Sequence, residues 1–410
     1  MLKLKRLRVE RFRSLARGAE LSFSDGINIV LGQNGTGKTT LLDLISMVVR
    51  SDFSSLAKEE FALEYELWVP GGESIIIMVR NHRAVMDEPP TPIEIKAREV
   101  FHPSVEVLGG ADRRRLVRYD DVQGISRGES PSESPQRSPT PMDLGFLFYF
   151  IAPVKAFGSR FATYLTLLAG NAYRLDESLD LFRKATGTGT FAGEIVRVKD
   201  AWLPDLFDPP FIPFDVIKEL KNHYEPGAAD YALSHHDLGV LSTLNEMMQF
   251  ARSDLRIDVT ESSEPETMRI DNLVFRFWWT DGTLVTHERL SYGQKRLLIF
   301  FYYLACNSEI VIADELVNGL HHRWITASIE AIGQRQAFLT SQNPLLLDYV
   351  PITSAEEVQR SFVLCRGEPR EGRPGWIWEN MSEEDAQELF NAYNVGVEHV
   401  SEILQSRGLW

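Results

Sequence analysis

The chain has 410 residues, with 43 Lys and Arg against 58 Asp and Glu, a net charge of −15 and 44% hydrophobic residues. That length allows two or three domains, or one domain with a long insertion, and the composition is that of a soluble globular chain. The negative balance excludes a protein whose whole surface wraps nucleic acid, but not a local basic patch. Cys306 and Cys365 stand far apart and in no metal-binding spacing, which fits a reduced interior. No apolar run reaches the length of a membrane span, and the N-terminus, MLKLKRLRVERF, alternates charge with hydrophobe where a signal peptide needs a continuous apolar block. Cytoplasmic localisation is the expectation.

Residues 2–31 alternate in strand period and lead into GQNGTGKT at 32–39, a match to GxxxxGK[ST] between an apolar strand (27–31) and a helix (39–50). A loop that wraps a polyphosphate must turn successive backbone N–H groups inward, which glycines permit. Lys38 supplies a point charge for the β- and γ-phosphates, the Thr39 hydroxyl suits Mg²⁺, and the helix adds its dipole. The same N-terminal stretch carries Lys3, Lys5, Arg6, Arg8, Arg11, Arg13 and Arg17 against Glu10, and Arg113–Arg115 is a second cluster. Both read as solvated faces of edge strands, with nucleic-acid contact as the alternative.

Residues 61–69 and 74–80, split by Pro70-Gly71-Gly72, predict a hairpin, followed by weaker strands near 93–99 and 105–107. The run RGESPSESPQRSPTP at 127–141 cannot pack and reads as a mobile loop. From 144 to 224 apolar residues recur at helical spacing (Phe161, Tyr164, Leu165, Leu168), broken by a Pro-rich turn at 204–213. A helix is predicted at 237–252, then strands at 255–260, 268–279 and 283–286 and an apolar, buried helix at 293–306. Strand 310–313, helix 324–333, strand 336–340 and helix 345–349 then alternate as a parallel βαβα series. Residues 376–406 hold seven acids and no Lys or Arg: a face unsuited to DNA but suited to a basic partner.

Three further motifs carry chemistry. The strand IVIADE ends in Asp314 and Glu315; a buried strand is expected to bring Asp314 to the sheet edge beside the phosphate loop to hold Mg²⁺, with Glu315 as general base for the attacking water. LSYGQKR at 290–296 opens the apolar helix, so Ser291, Gly293 and Gln294 form an anion-binding helix start or, more plainly, a Ser N-cap. In TSQNP at 340–344, Gln342 is placed to sense the γ-phosphate, although the run is also an ordinary turn. Adjacent His321 and His322 point apart and lack a third ligand, so no metal site is predicted there.

Together GQNGTGKTT, LSYGQKR, VIADE and TSQNP resemble the Walker A, signature, Walker B and switch motifs of ABC-type ATPase heads. The opening LKRLRVERFRSL and the run DELVNGLHH are similar to RecF and to overcoming-lysogenization-defect (OLD) family ATPases. The resemblance covers residues 1–50 and 285–350 and implies an α/β P-loop NTPase head, a mixed sheet with an antiparallel N-terminal subdomain, plus a mainly helical insertion. It further implies that Gly32, Asn34, Gly35, Thr36, Gly37, Lys38, Thr39 and Thr40 bind ATP and Mg²⁺. Asp314 and Glu315 take the Walker B roles, and Asn318-Gly319-Leu320 forms the D-loop. Ser291, Gly293 and Gln294 act on the nucleotide of a second copy, and Arg13 lies near the nucleotide. Gln342 replaces the family's usual His and cannot titrate near neutrality, which favours slow hydrolysis or ATP used mainly as a dimer clamp. The Q-loop is not placed; Gln123 and Gln136 are weak candidates.

The resulting layout is an N-terminal lobe (1–123), a Ser/Pro-rich loop (124–143), a helical insertion (144–252), a C-terminal lobe (253–366) and an acidic helical tail (367–410), with no Toprim nuclease. The expected function is an ATP-hydrolysing, ATP-gated homodimeric or higher-oligomeric switch controlling a separate nuclease or toxin-like effector, in bacterial anti-phage defence or DNA repair. A RecF-like DNA clamp is the alternative. The ATP-binding subunit of a membrane transporter is disfavoured by the long insertion between phosphate loop and signature.

Overall fold

The computed structural model describes residues 1–16, 18–69, 73–86, 98–109, 114–120, 124–127, 172–175, 195–197, 212–223, 225, 230–261, 267–341, 344–368, 375–395, 402 and 404. They divide into two compact units. The first is Met1–Tyr173, Arg335–Thr340 and Pro351–Trp410; the second is Arg174–Gln334 and Ser341–Val350.

In the first unit, β1 (Lys3–Phe12), β2 (Ala19–Ser22), β4 (Phe61–Val69), β5 (Glu73–Met86), β6 (Arg98–Gly109), β7 (Arg114–Asp120) and β8 (Gly124–Arg127) form an antiparallel sheet in the order β2-β1-β4-β5-β6-β7-β8. Here β1 is an interior strand, not the edge that its charge suggested, because both neighbours supply carboxylates to its polar face. Arg6 pairs with Glu20 at 3.0 Å and with Glu64, and Arg11 reaches Glu60 at 2.7 Å. Lys5 meets Asp25, and Arg8 lies 3.9 Å from Glu10. The apparent basic patch is thus a surface of mixed sign, with Arg6 paired across strands and Lys5, Arg8 and Arg11 paired with acids of adjoining turns or of β1 itself, each pair worth a few tenths of a kcal/mol to about 1 kcal/mol. In the second cluster Arg115 faces Glu106 at 3.9 Å, while Arg113 and Arg17 lie outside the described residues.

Also in this unit, β3 (Ile27–Leu31) runs parallel to β15 (Gln336–Leu339) on one side and to β16 (Phe362–Gly367) on the other, and β17 (Trp376–Asn380) closes the edge antiparallel to β16. Four of the five β3 residues are buried, as a strand covered on both faces requires. Helices α1 (Lys38–Arg50), α6 (Ala355–Ser361) and α7 (Glu383–Val395) complete it. The acidic tail therefore contains a strand as well as a helix; WIWEN pairs its alternating aromatics with β16, a period that the count of acids obscured. Glu383, Glu384 and Asp385 occupy the first turn of α7, where the helix dipole favours negative charge.

The second unit contains β10 (Asp230–Ser234), β11 (Arg252–Glu261), β12 (Thr267–Trp278) and β13 (Leu284–Thr286) as an antiparallel sheet in that order, with β9 (Ile195–Arg197) on β12. Helices α2 (Phe214–Asn222), α3 (Gly239–Met248), α4 (Tyr292–Cys306) and α5 (His322–Ile332), with the buried strand β14 (Ile310–Ala313), make up the rest. The expected helix 237–252 stops at Met248 because Gln249 turns left-handed (φ 63°), and Arg252 already opens β11. Residues Pro344–Tyr349 form a 3-10 helix, not an α-helix. Of the predicted strand at 93–99 only its end, inside β6, is described, and 105–107 belongs to that same strand. The Ser/Pro-rich run after Arg127 and most of 144–211 lie outside the described residues. No helix among the described residues is long and apolar enough to cross a membrane.

Gln336 ties the first unit together. Fully buried, its amide accepts from Leu4 N at 2.8 Å and donates to Leu4 O at 2.8 Å and Ser24 O at 2.7 Å, fastening β15 to β1 and to the turn before β3. Gln336→Leu removes the partner of the buried Leu4 N–H and carbonyl, while Ser24 O keeps the Asn28 amide at 3.1 Å, and is expected to lower the unfolding free energy by about 2–3 kcal/mol, read as a lower midpoint in urea denaturation.

Candidate functional site: a phosphate loop and a carboxylate pair

The buried β3 delivers the chain to Gly32, where the backbone must pass the end of β16. With φ 147° and the Cys365 carbonyl oxygen 2.2 Å from where a Cβ would stand, only glycine fits. Gly35 (φ 82°) and Gly37 (φ 88°) are left-handed too, so the loop curls back on itself, with Thr36 N–H donating to Gln33 O at 3.4 Å. Two side chains hold its shape. Thr36 Oγ1 donates to Gln33 O at 2.7 Å, and Lys38 Nζ donates to the carbonyls of Gly32 and Gln33 at 2.7 and 3.1 Å. Gln33, Asn34, Gly35 and Thr39 are exposed while Thr36 and Lys38 are buried, and α1 carries no acid in its first turn. Beside the loop a cavity of about 220 Å³ is lined by Gly32, Gln33, Thr36, Cys365 and Arg366. This donor set, a buried lysine with a glycine-built nest at a helix N-terminus, fits a polyphosphate.

In the second unit the four residues of β14 are buried, which leads straight into the buried carboxylates Asp314 and Glu315. Arg174 and Leu175 run beside β14: Leu175 N donates to Ile312 O at 2.8 Å and Asp314 N to Leu175 O at 2.7 Å. That register brings the Arg174 guanidinium to Asp314 Oδ2 at 3.0 Å. Glu315 is itself left-handed (φ 54°), and its Oε2 accepts from Asn318 Nδ2 at 3.2 Å. Buried Arg296 donates to Asp314 O at 3.0 Å and also to Glu315 O, clamping the turn from behind. A left-handed non-glycine costs of order 1–2 kcal/mol and persists where its surroundings over-determine it; Arg296 and Asn318 do so here.

At the start of α4, Ser291 and Gln294 form a reciprocal capping box, with Gln294 N donating to Ser291 Oγ at 3.4 Å and Ser291 N to Gln294 Oε1 at 3.0 Å. The plainer reading of Ser291 is thus part of the structure. Gly293 has a second reason to be glycine: a Cβ there would lie 2.6 Å from Gly319 O, and Gly319 (φ 74°) packs against the Tyr292 ring. Ser291, Gly293 and Gln294 are thereby joined to the Asn318-Gly319-Leu320 turn within one unit, while Ser291 and Tyr292 remain exposed.

Arg13 (φ 41°) engages Glu59 through two hydrogen bonds, 2.8 and 2.9 Å. His321 caps α5 by accepting from Arg323 N, and His322 lies against Tyr349, so the two histidines serve different partners. Among the described residues no group of three or more His, Cys, Asp or Glu side chains could hold a metal ion. Gln342, Gln123 and Gln136 lie outside the described residues. Sequence reasoning missed Arg174, whose neighbours give no motif, and Trp376, which lies more than 300 positions from the loop it touches through Gly35. It also left Arg296 without a role, although that residue closes the signature run.

Both cysteines are free thiols, Cys306 partly exposed and Cys365 buried. Burial pushes the Cys365 thiol up to about 12, despite the opposing charge of Lys38, so it stays protonated at neutral pH. In the native protein at pH 8, iodoacetamide is expected to alkylate Cys306 and spare Cys365, with both reacting in urea; mass mapping of the labelled peptides reads the outcome.

A stretch of 44 residues, 11% of this chain, is 46% identical to the DNA replication and repair protein RecF of Shewanella loihica and spans 12% of that protein. A stretch of 62 residues, 15% of this chain, is 39% identical to the DNA double-strand break repair Rad50 ATPase of Thermococcus kodakarensis and spans 7% of it. The chain therefore matches only a small part of either relative's length. Among solved structures, an Smc head bound to the C-winged helix domain of ScpA aligns over 93% of this chain and 98% of its own, at 11% identity and a TM-score of 0.44. The SMC head domain from Thermotoga maritima aligns over 93% and 99%, at 12% identity and a TM-score of 0.36. Residues 27–348, most of the chain and all the motifs built above except the β1 region, match the family described as "AAA domain, putative AbiEii toxin, Type IV TA system". The protein belongs to that family.

Proposed function

We propose that the protein binds Mg²⁺ and ATP and works as an ATP-gated dimeric switch for a separate effector. The observation that carries the reading is the exposed start of α4, Ser291–Gln294, joined to the Gly319 turn and with no acid in its first turn: a surface anion site suited to the nucleotide of a second copy. In this reading Gly32, Asn34, Gly35, Thr36, Gly37, Lys38 and Thr40 hold the phosphates. Thr39 and Asp314 hold the metal, which supplies charge neutralisation on the transferring phosphoryl group. Glu315 accepts the proton of the attacking water, and Gln342 contacts the γ-phosphate. Because Arg174 already occupies one oxygen of Asp314, metal binding there competes with an ion pair, which together with Gln342 favours slow turnover.

An effector of nuclease or toxin type, in anti-phage defence or DNA repair, is supported by the family's toxin–antitoxin description and by the RecF and Rad50 similarities. Clamping of duplex DNA through residues 3–17 is the weaker reading, since Lys5, Arg6, Arg11 and Arg13 of that stretch are matched by neighbouring carboxylates.

Glu315→Gln removes the base while keeping size and the acceptor toward Asn318, so ATP should accumulate in the closed state. Gel filtration of this variant is expected to show a dimer or larger species with Mg²⁺ and ATP and a monomer without; a monomer under both conditions would overturn the proposal. In parallel, Lys38→Ala should lower ATP turnover at least tenfold, measured as phosphate release.

A further inference from the structure

Resting on the reading of residues 32–39 as a nucleotide site, we infer that Trp376 is a positioning residue of that site: its indole holds the Gly35 carbonyl and covers Gly37, so that the glycine-rich loop is ordered before a polyphosphate binds. The ring is placed by backbone bonds on two sides. Trp376 pairs with Gly367 of β16, while its N–H donates to Ser14 O at 2.9 Å and its carbonyl accepts from Ala16 N at 2.8 Å. Beneath it the buried Trp378 stacks at 6.1 Å and 11° and rests in turn on Phe12. Trp378 is the core residue of the pair; Trp376 stays half-buried and faces the loop.

Two contacts define what it does there. Its Nε1–H donates to Gly35 O at 3.0 Å, and its ring lies 2.8 Å from where a Cβ on Gly37 would stand. Across a trans peptide the carbonyl and the following N–H point in opposite directions. Holding Gly35 O toward the indole turns Thr36 N–H the other way, back into the loop, where it donates to Gln33 O at 3.4 Å, and covering Gly37 limits a loop whose glycines would otherwise sample many conformations. A glycine-rich anion site gains affinity when such ordering precedes ligand binding. No base contact is needed, so the effect falls on the phosphates.

Full-length wild type, Trp376→Phe and Trp376→Ala are compared by titration with a fluorescent ATP analogue and by competition with ATP, ADP and GTP. Loss of one net hydrogen bond corresponds to about a five- to tenfold weaker affinity. Trp376→Phe should show that loss equally for ATP, ADP and GTP, and Trp376→Ala a larger one. Their melting temperatures should stay near that of wild type because the core tryptophan is untouched. Wild-type affinity in both variants overturns the inference, as does a changed ATP-to-GTP preference, which would make the indole a base contact. A wild-type protein that binds no nucleoside triphosphate overturns the phosphate-loop reading itself, and the role of Trp376 with it.

Discussion

The loop from Gly32 to Lys38 has to be kept in a conformation that no ordinary side chain tolerates, and the first unit is organised around that demand. β3 enters between two parallel strands, so its exit point is fixed by main-chain pairing on both sides. At that exit Gly32 passes so close to the Cys365 carbonyl that any Cβ would collide. The left-handed Gly35 and Gly37 then curl the chain, and Lys38 folds back over the carbonyls of Gly32 and Gln33. Anchoring extends outward through Gln336, which couples the sheet carrying the loop to β1.

The second unit meets a different difficulty, two adjacent buried carboxylates after an apolar strand. Burying a charge is costly unless it is paired and hydrogen-bonded. Here the costs are divided between two cations with separate tasks. Arg174 meets the Asp314 carboxylate itself, whereas Arg296 binds the backbone carbonyls of Asp314 and Glu315 and leaves their side chains to other partners. The left-handed turn at Glu315 that results is also what permits Asn318 to reach its carboxylate. The same turn leads to Gly319, whose close approach to Gly293 and Tyr292 links the carboxylate pair to the start of α4.

Charge in the N-terminal strand shows how a one-dimensional pattern misleads. Read along the chain, residues 3–13 are strongly basic; read across the sheet, Glu20, Glu59, Glu60 and Glu64 stand opposite. Those acids come from segments up to 58 positions away, beyond any local window. The C-terminal acids mislead in the same direction, since three of them serve the first turn of α7 and Glu379 pairs with Arg366 at 2.8 Å.

Local signals were sufficient for the phosphate loop, the strand before Asp314, the Ser291 cap and the 61–80 hairpin, because each depends on residues within a few positions: glycines that free the backbone, an unbroken apolar run, a side chain that caps the next turn. Tertiary structure alone decided that β1 lies inside a sheet, that WIWEN is a strand, and that Arg174, Arg296 and Trp376 attend the motifs. Those outcomes rest on hydrogen bonds and ion pairs between distant segments, whose register is set by strand pairing and not by neighbours in the chain.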